Sequence, residues 1–342
     1  MLYPLKFKPI YKDKIWGGQK LKTLLHKDFS PLPNCGESWE LSGMPGNESV
    51  AANGFLKGNS LNEILEIYLG DLVGEGVFDQ FGEEFPLLVK WIDAEEDLSV
   101  QVHPDDATAR RRHQCNGKTE LWHVVDAAAG AGLYVGFKPG TDKAAYLQAL
   151  QDGTLEKLLQ FHEVKKGDTF FIPAGTVHSI GKGVLLCEIQ QSSDTTYRIF
   201  DWNRKTADGK SRELHTDQAL DVLDFEQKQT FQLPVAEHFN STTPLLRSPF
   251  FNLNLLAFDR PLEKVYAAID SFVIYLCTEG KVTFVHEEGT EELVCGETLL
   301  IPASMTEVRL FPQKRSQLLE IYMDCERFPF QEEVENKNPK DE

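Results

Sequence analysis

GDTFFIPAGTVH, residues 167–178, and GETLLIPASMTE, residues 296–307, align without a gap: glycine, an acid, threonine, two apolar residues, then Ile-Pro-Ala. Each reads as a turn, a short buried strand and a tight bend, because Gly and Pro punctuate an apolar run too short for a helix. Recurrence of one β unit at a fixed offset predicts two copies of one architecture. The copies differ where chemistry would lie: His178 ends the first, Glu307 the second.

Working outward, many short runs rich in Val, Ile, Phe and Leu lie between Gly, Pro, Asn and Asp, as in FPLLVKWIDA, LSVQVHP, GLYVGF, GVLLCEIQQ and FFNLNLLAF. The pattern predicts a mainly β chain of two jelly-roll barrel or sandwich domains. Helical periodicity appears only at 61–70, 105–114, 141–162 and 216–225, so helices decorate a β framework. The expected division is 1–235 and 236–330, with a boundary in the segment 228–244. The polar, charged tail 331–342 is expected to be disordered.

A chain of 342 residues, 41% hydrophobic and 26% charged, has the composition of a globular protein with room for two cores. It has no apolar run of about 20 residues, and its N-terminus lacks a secretory pattern. The cytoplasm is the expected location. Six scattered cysteines without a Cys-x-x-Cys pair argue against a disulfide framework or a cysteine zinc knuckle. A net charge of -18 excludes nucleic acid and anionic membrane as partners. An anionic small substrate is compatible with it if cations gather in one pocket. A monomer or homodimer is expected.

LSVQVHP puts Ser99, Gln101 and His103 on one strand face and Leu98, Val100 and Val102 on the other. TELWHV puts Glu120, Trp122 and Val124 on one face, and His178 follows the Pro-Ala-Gly bend. Gln101, His103, Glu120 and His178 thus form a mixed nitrogen and oxygen set suited to Zn²⁺, or to Mn²⁺, Fe²⁺ or Co²⁺, with a position left for water or substrate. Spacing alone does not decide between this site and solvated strand faces. His123, His162, His215 and His238 are read as structural, and Arg110, Arg111 and Arg112 as a solvated helix face. In GVLLCEIQQ, Glu188 points into an otherwise apolar interior, where desolvation raises a carboxyl pKa.

Together LSVQVHP (98–104), GKTELWHV (117–124), IPAGTVHS (172–179), CEIQQSSDTTYRIFDW (187–202), IWGG (15–18) and GESWELSG (36–43) resemble the type I mannose-6-phosphate isomerases, specifically the short bacterial form. The resemblance runs from about residue 3 to 225. It implies a cupin fold, one Zn²⁺ per chain, and interconversion of D-mannose 6-phosphate and D-fructose 6-phosphate. It places the zinc ligands at Gln101, His103, Glu120 and His178 and the active-site arginine at Arg198. Larger members carry a helical insertion to which only 141–162 corresponds. The second copy is then a degenerate cupin-like domain without a metal site.

Moving a proton between C1 and C2 through a cis-enediolate needs a base, an electrophile and a phosphate clamp. Zinc and Arg198 serve as electrophiles. Lys118 shares a strand face with Glu120; alone it reads as a surface turn lysine, and the resemblance turns it toward the site. The base stays open among Glu188, the neighbours of His103 and a metal-bound hydroxide, since Glu188 could instead anchor Arg198 or a sugar hydroxyl. Asp194 could pin the turn that presents Arg198. Ser99, Arg204 and Lys205 are the expected phosphate contacts. Trp16, Glu37, Trp39 and Glu40 read equally as pocket wall or core. Two other readings of the same residues are a non-catalytic sugar-phosphate-binding cupin and an Fe²⁺ oxygenase.

Overall fold

The computed structural model describes residues 1–205, 209–226, 230–236 and 238–326. The tail 331–342, expected to be disordered, lies outside the described residues, as do 228, 229 and 237 of the boundary segment. A seven-stranded antiparallel sheet holds, in spatial order, Gln232–Leu233, Thr169–Ile172, Glu120–Ala127, Val184–Gln191, Leu87–Ala94, Glu37–Leu41 and Ile10–Lys12. Facing it is a five-stranded sheet of Tyr197–Phe200, Val100–Val102, His178–Ile180, Gly132–Phe137 and Leu159–Glu163. Trp122, Val124, Phe170, Val184 and Leu186 fill the space between them. The two sheets do not close into a barrel, so this unit is a sandwich, as the short alternating strands predict.

A second sandwich pairs a five-stranded sheet (Ser241–Leu246, Asn252–Phe258, Ser316–Tyr322, Val273–Glu279, Thr298–Ile301) with a four-stranded one (Leu262–Val265, Glu307–Pro312, Lys281–His286, Gly289–Val294). The two sandwiches share a core. Leu87, Val89, Trp91 and Leu185 project from the back of the seven-stranded sheet into one cluster with Leu253, Ile274, Leu276 and Leu319 of the second. The Trp91 Nε1–H donates to the Gly296 carbonyl at 2.9 Å across this junction. Consequently Leu87–Ala94 and Val184–Gln191 are buried at every position, with alternate residues serving the two cores.

The repeated units occupy equivalent places. Thr169–Ile172 pairs with Glu120–Ala127 as Thr298–Ile301 pairs with Val273–Glu279, and each bend leads to a strand that opens on His178 or Glu307. The registers then equate Glu120 with Val273, Gln101 with Val265, and Glu188 with Glu320. Glu320 is buried and bonded to its strand neighbours, Asn254 at 2.7 Å and Tyr275.

The expected helices are present but shorter. Leu61–Tyr68 starts on a Ser60–Glu63 capping box, and Asp106–His113 starts on Asp105. The segment 141–162 does not run as one helix. It is Lys143–Asp152, stopped by left-handed Gly153, then a 3₁₀ turn Leu155–Leu158 and a strand Leu159–Glu163 that pairs with Gly132–Phe137. Of 216–225 only Thr216–Leu220 is helical. Among the described residues no helix is long and apolar enough to cross a membrane, and all six cysteines are free.

Candidate metal centre

Two bends deliver the histidines. The Pro-Ala-Gly bend places Gly175 at φ +84°, where its N–H donates to the His103 carbonyl at 2.9 Å. The bend thereby ties the strand of His178 to that of His103, and His178 pairs directly with Gln101 across the sheet. Ahead of Glu120, Gly117 passes so close to the helix Asp106–His113 that a Cβ there would lie 2.5 Å from the Asp106 nitrogen. Only glycine lets the chain make this approach and bring Lys118 in behind Glu120.

His103, Glu120 and His178 are buried, with one donor atom from each within 4.8 Å of the others. The His103 Nδ1 lies 3.0 Å from the Thr195 carbonyl and the His178 Nδ1 2.8 Å from the Thr176 carbonyl. Facing a carbonyl, each Nδ1 must carry its proton, so each Nε2 presents a lone pair. The two Nε2 atoms stand 3.1 Å apart, and Glu120 Oε1 and Oε2 lie 3.2 and 3.6 Å from those of His103 and His178 respectively. Neither Glu120 oxygen has a well-aligned hydrogen bond, although the Lys118 ammonium is 3.1 Å from Oε1. Buried lone pairs and a carboxylate converging without protons between them repel unless a cation sits among them. The donor set therefore fits a divalent metal ion.

The electrostatics agree. Burial, then Lys118, pushes the His103 pKa down to about 3, and burial lowers that of His178, so both rings are neutral donors. Burial opposes ionisation of Glu120, but the Lys118 ammonium 3.1 Å away holds the carboxyl well below its ordinary value.

Beside this cluster lies a cavity of about 320 Å³. Lys14, Lys90, Lys118, Arg198 and Arg212 line it, against Glu37, Glu188 and Asp194. Cations thus outnumber acids here in a chain whose net charge is -18. Arg198 pairs across the sheet with Gln101, and its guanidinium donates to Ser99 Oγ at 3.3 Å. Glu188 is buried with both oxygens engaged, Oε1 by Lys90 at 2.9 Å and Oε2 by the Trp122 indole at 2.9 Å. Burial, reinforced by the Glu120 charge, raises its pKa. Burial alone would lower the pKa of Lys90, but Glu188 and Glu37 raise it well above the ordinary lysine value, so Lys90 is a fixed cation.

Ser99, Gln101, Lys118, Glu188 and Arg198 all line the cavity, as do Trp16, Glu37 and Asp194. Glu188 does not anchor Arg198; its partner is Lys90. Arg204 and Lys205 do not line the cavity. Arg204 turns to Asp201 at 2.6 Å and the Asp97 carbonyl at 2.5 Å, and Lys205 is exposed. Arg212, bonded to the same Asp201, takes the cavity position instead. Trp39 donates to Glu37, whereas Glu40 turns to buried Lys27 on the other face. Arg110, Arg111 and Arg112 are exposed, Arg112 pairing with Asp221. Lys14, Lys90 and Arg212 escaped the sequence reading. A lysine inside LLVKWIDA, a strand otherwise fit for full burial, is the signal that would have found Lys90; no local signal marks Arg212.

Two stacked β-sandwiches, with a buried His–His–Glu donor cluster beside a cation-lined cavity, define a protein with a candidate metal site next to a pocket suited to a small anion. A family model for the catalytic domain of type I phosphomannose isomerase matches residues 4–121. The chain is 35% identical over 317 residues to mannose-6-phosphate isomerase ManA of Bacillus subtilis, covering 90% of this chain and 95% of that one. It is 36% identical over 304 residues to mannose-6-phosphate isomerase of Streptococcus mutans, covering 88% and 93%. The crystal structure of Bacillus subtilis mannose 6-phosphate isomerase superposes with a TM-score of 0.80 at 30% identity over 93% of this chain and 99% of that one. A mutant of Salmonella typhimurium phosphomannose isomerase, 17% identical with a TM-score of 0.74, shares the fold. The chain belongs to the mannose-6-phosphate isomerase family, and it is an isomerase.

Proposed function

We propose that the protein interconverts D-mannose 6-phosphate and D-fructose 6-phosphate in the cytoplasm, using one Zn²⁺ held by Gln101, His103, Glu120 and His178. The site belongs to a unit spanning 1–235, and 236–330 forms a second unit, in which the described residues hold no donor set. One observation carries the reading: in an acidic chain of this family, five cationic side chains line one small cavity, and one of them, Lys118, reaches within 3.1 Å of the buried His–His–Glu donor cluster.

When bound, the zinc ion supplies a Lewis acid for charge that develops on sugar oxygen. Lys118 and Arg198 add permanent positive charge on that side of the cavity, effective because it is already in place before charge develops. Glu188, with its raised pKa, is the carrier of the proton that passes between C1 and C2 through a cis-enediolate. Lys90 and Trp122 fix its two oxygens, so the carboxyl does not need to reorganise as it takes the proton up. Ser99, which accepts from Arg198 at 3.3 Å, and Arg212 form the anion-binding end of the pocket and receive the phosphate. Asp201 orients Arg212 through its Nε at 2.7 Å.

A coupled assay on mannose 6-phosphate, run on native, chelated and zinc-reconstituted protein, tests this reading. Product formation that disappears with the metal and returns with Zn²⁺, together with solvent deuterium entering at C2, is the expected outcome. Tight binding without exchange would instead support a non-catalytic role.

A further inference from the structure

The strand Tyr197–Phe200 is the edge of its sheet, so on its outer side backbone groups lack a strand to pair with. At Arg198 these groups are nonetheless both satisfied, and by one residue. The Arg198 N–H donates to His215 Nδ1 at 3.2 Å, and the His215 N–H donates to the Arg198 carbonyl at 2.7 Å. One histidine thus imitates a paired strand residue, using ring nitrogen where a strand would offer a carbonyl. Two residues earlier in the same segment, the Glu213 carbonyl accepts from Arg198 Nη1 at 3.0 Å. His215 is itself pinned, because its carbonyl accepts from Ala219 N–H at 2.9 Å as the helix Thr216–Leu220 begins.

We propose that His215 is a positioning residue for the isomerisation, acting through the backbone of Arg198. The inference rests on Arg198 serving the reaction as described above. Because Nδ1 accepts, the ring must be the neutral Nε2–H tautomer. An acceptor at that place fixes the strand edge, and with it the direction from which the guanidinium enters the cavity. Displacing a charge-bearing group by about 1 Å can cost on the order of 100-fold in rate.

Asparagine and glutamine separate the acceptor's position from mere polarity. The Asn Oδ1 falls near the place of Nδ1, whereas the Gln Oε1 reaches past it. His215→Asn is expected to recover most of kcat, and His215→Gln to lower it roughly 10- to 100-fold, with KM changing less than kcat and with metal content equal in both. Equal activity of the two variants, at either level, overturns the proposal, as does a loss confined to KM. Arg198→Ala is measured alongside. If it keeps full turnover, the role of Arg198 fails; if it loses turnover while His215→Gln does not, the role of His215 alone fails. Both His215 variants retain a polar amide, so unequal folding is checked by their melting temperatures before rates are compared.

Discussion

Replacing Lys90 by methionine keeps most of the side-chain volume beside Trp39, whose ring centre is 5.2 Å from the ammonium, and removes the cation facing Glu188. Glu188 then stands buried without its partner, and the least costly response is to take up a proton. A carboxyl with an ordinary pKa of 4.5 needs about 3.4 kcal/mol to be protonated at pH 7, from 2.5 pH units at about 1.36 kcal/mol each. That figure matches the roughly 3–5 kcal/mol typical of breaking one partner from a buried pair. The sign follows from linkage: a carboxyl whose folded pKa is raised loses most stability above that pKa and little below it. Because burial already raises the Glu188 pKa in the wild type, destabilisation by Lys90→Met should be at most about 3 kcal/mol at pH 7 and at most about 1.4 kcal/mol at pH 5.5. Urea unfolding followed by tryptophan fluorescence at both pH values reads this directly. Adding Glu188→Gln to Lys90→Met should remove the pH-dependent part, since the amide has no charge to lose. A loss that is the same at both pH values, or that persists in the double variant, would refute the account of this pair.

Arg198→Ala should abolish turnover while metal content stays at wild-type level, whereas His178→Ala should lose both; elemental analysis beside the coupled assay distinguishes them. Asp93 is fully buried with its pKa pushed up to about 6 by burial. Its contribution to stability is complete below its unfolded pKa of 3.8 and fades as pH rises through 6, by about 3 kcal/mol in all. Asp93→Asn should flatten the unfolding midpoint between pH 4 and 7. Gly117→Ala sets a Cβ 2.5 Å from backbone, and should cost about 1–3 kcal/mol and lower kcat by moving Lys118, as denaturation and steady-state kinetics would show.

The features legible in the sequence are those encoded locally. The duplicated β unit was readable because its turn, strand and bend lie within a dozen residues, and the faces of His103 and Glu120 because strand side chains alternate, although spacing alone did not make them a site. Where the sequence misled, the deciding partner was distant. LEKLLQFH has apolar spacing that serves a helix or a strand, and pairing with Gly132–Phe137 decides for the strand. Arg204 and Arg212 are equivalent in chemistry and both bond Asp201; the Asp97 carbonyl, 107 residues from Arg204 in sequence, holds Arg204 away from the cavity. Lys90 was hidden because its counter-charges Glu188 and Glu37 come from two other strands.

The seven-stranded sheet that carries Glu120 and Glu188 has no free back. Cutting the chain near residue 235 would leave Leu87, Val89, Trp91, Leu121, Leu185 and Ile189, all buried, as a broad apolar wall in water, which invites self-association. No minimal version of this enzyme can therefore be made by trimming to the half that bears the site. The second sandwich is its foundation, and a search for smaller catalysts would have to redesign that wall before touching the candidate site.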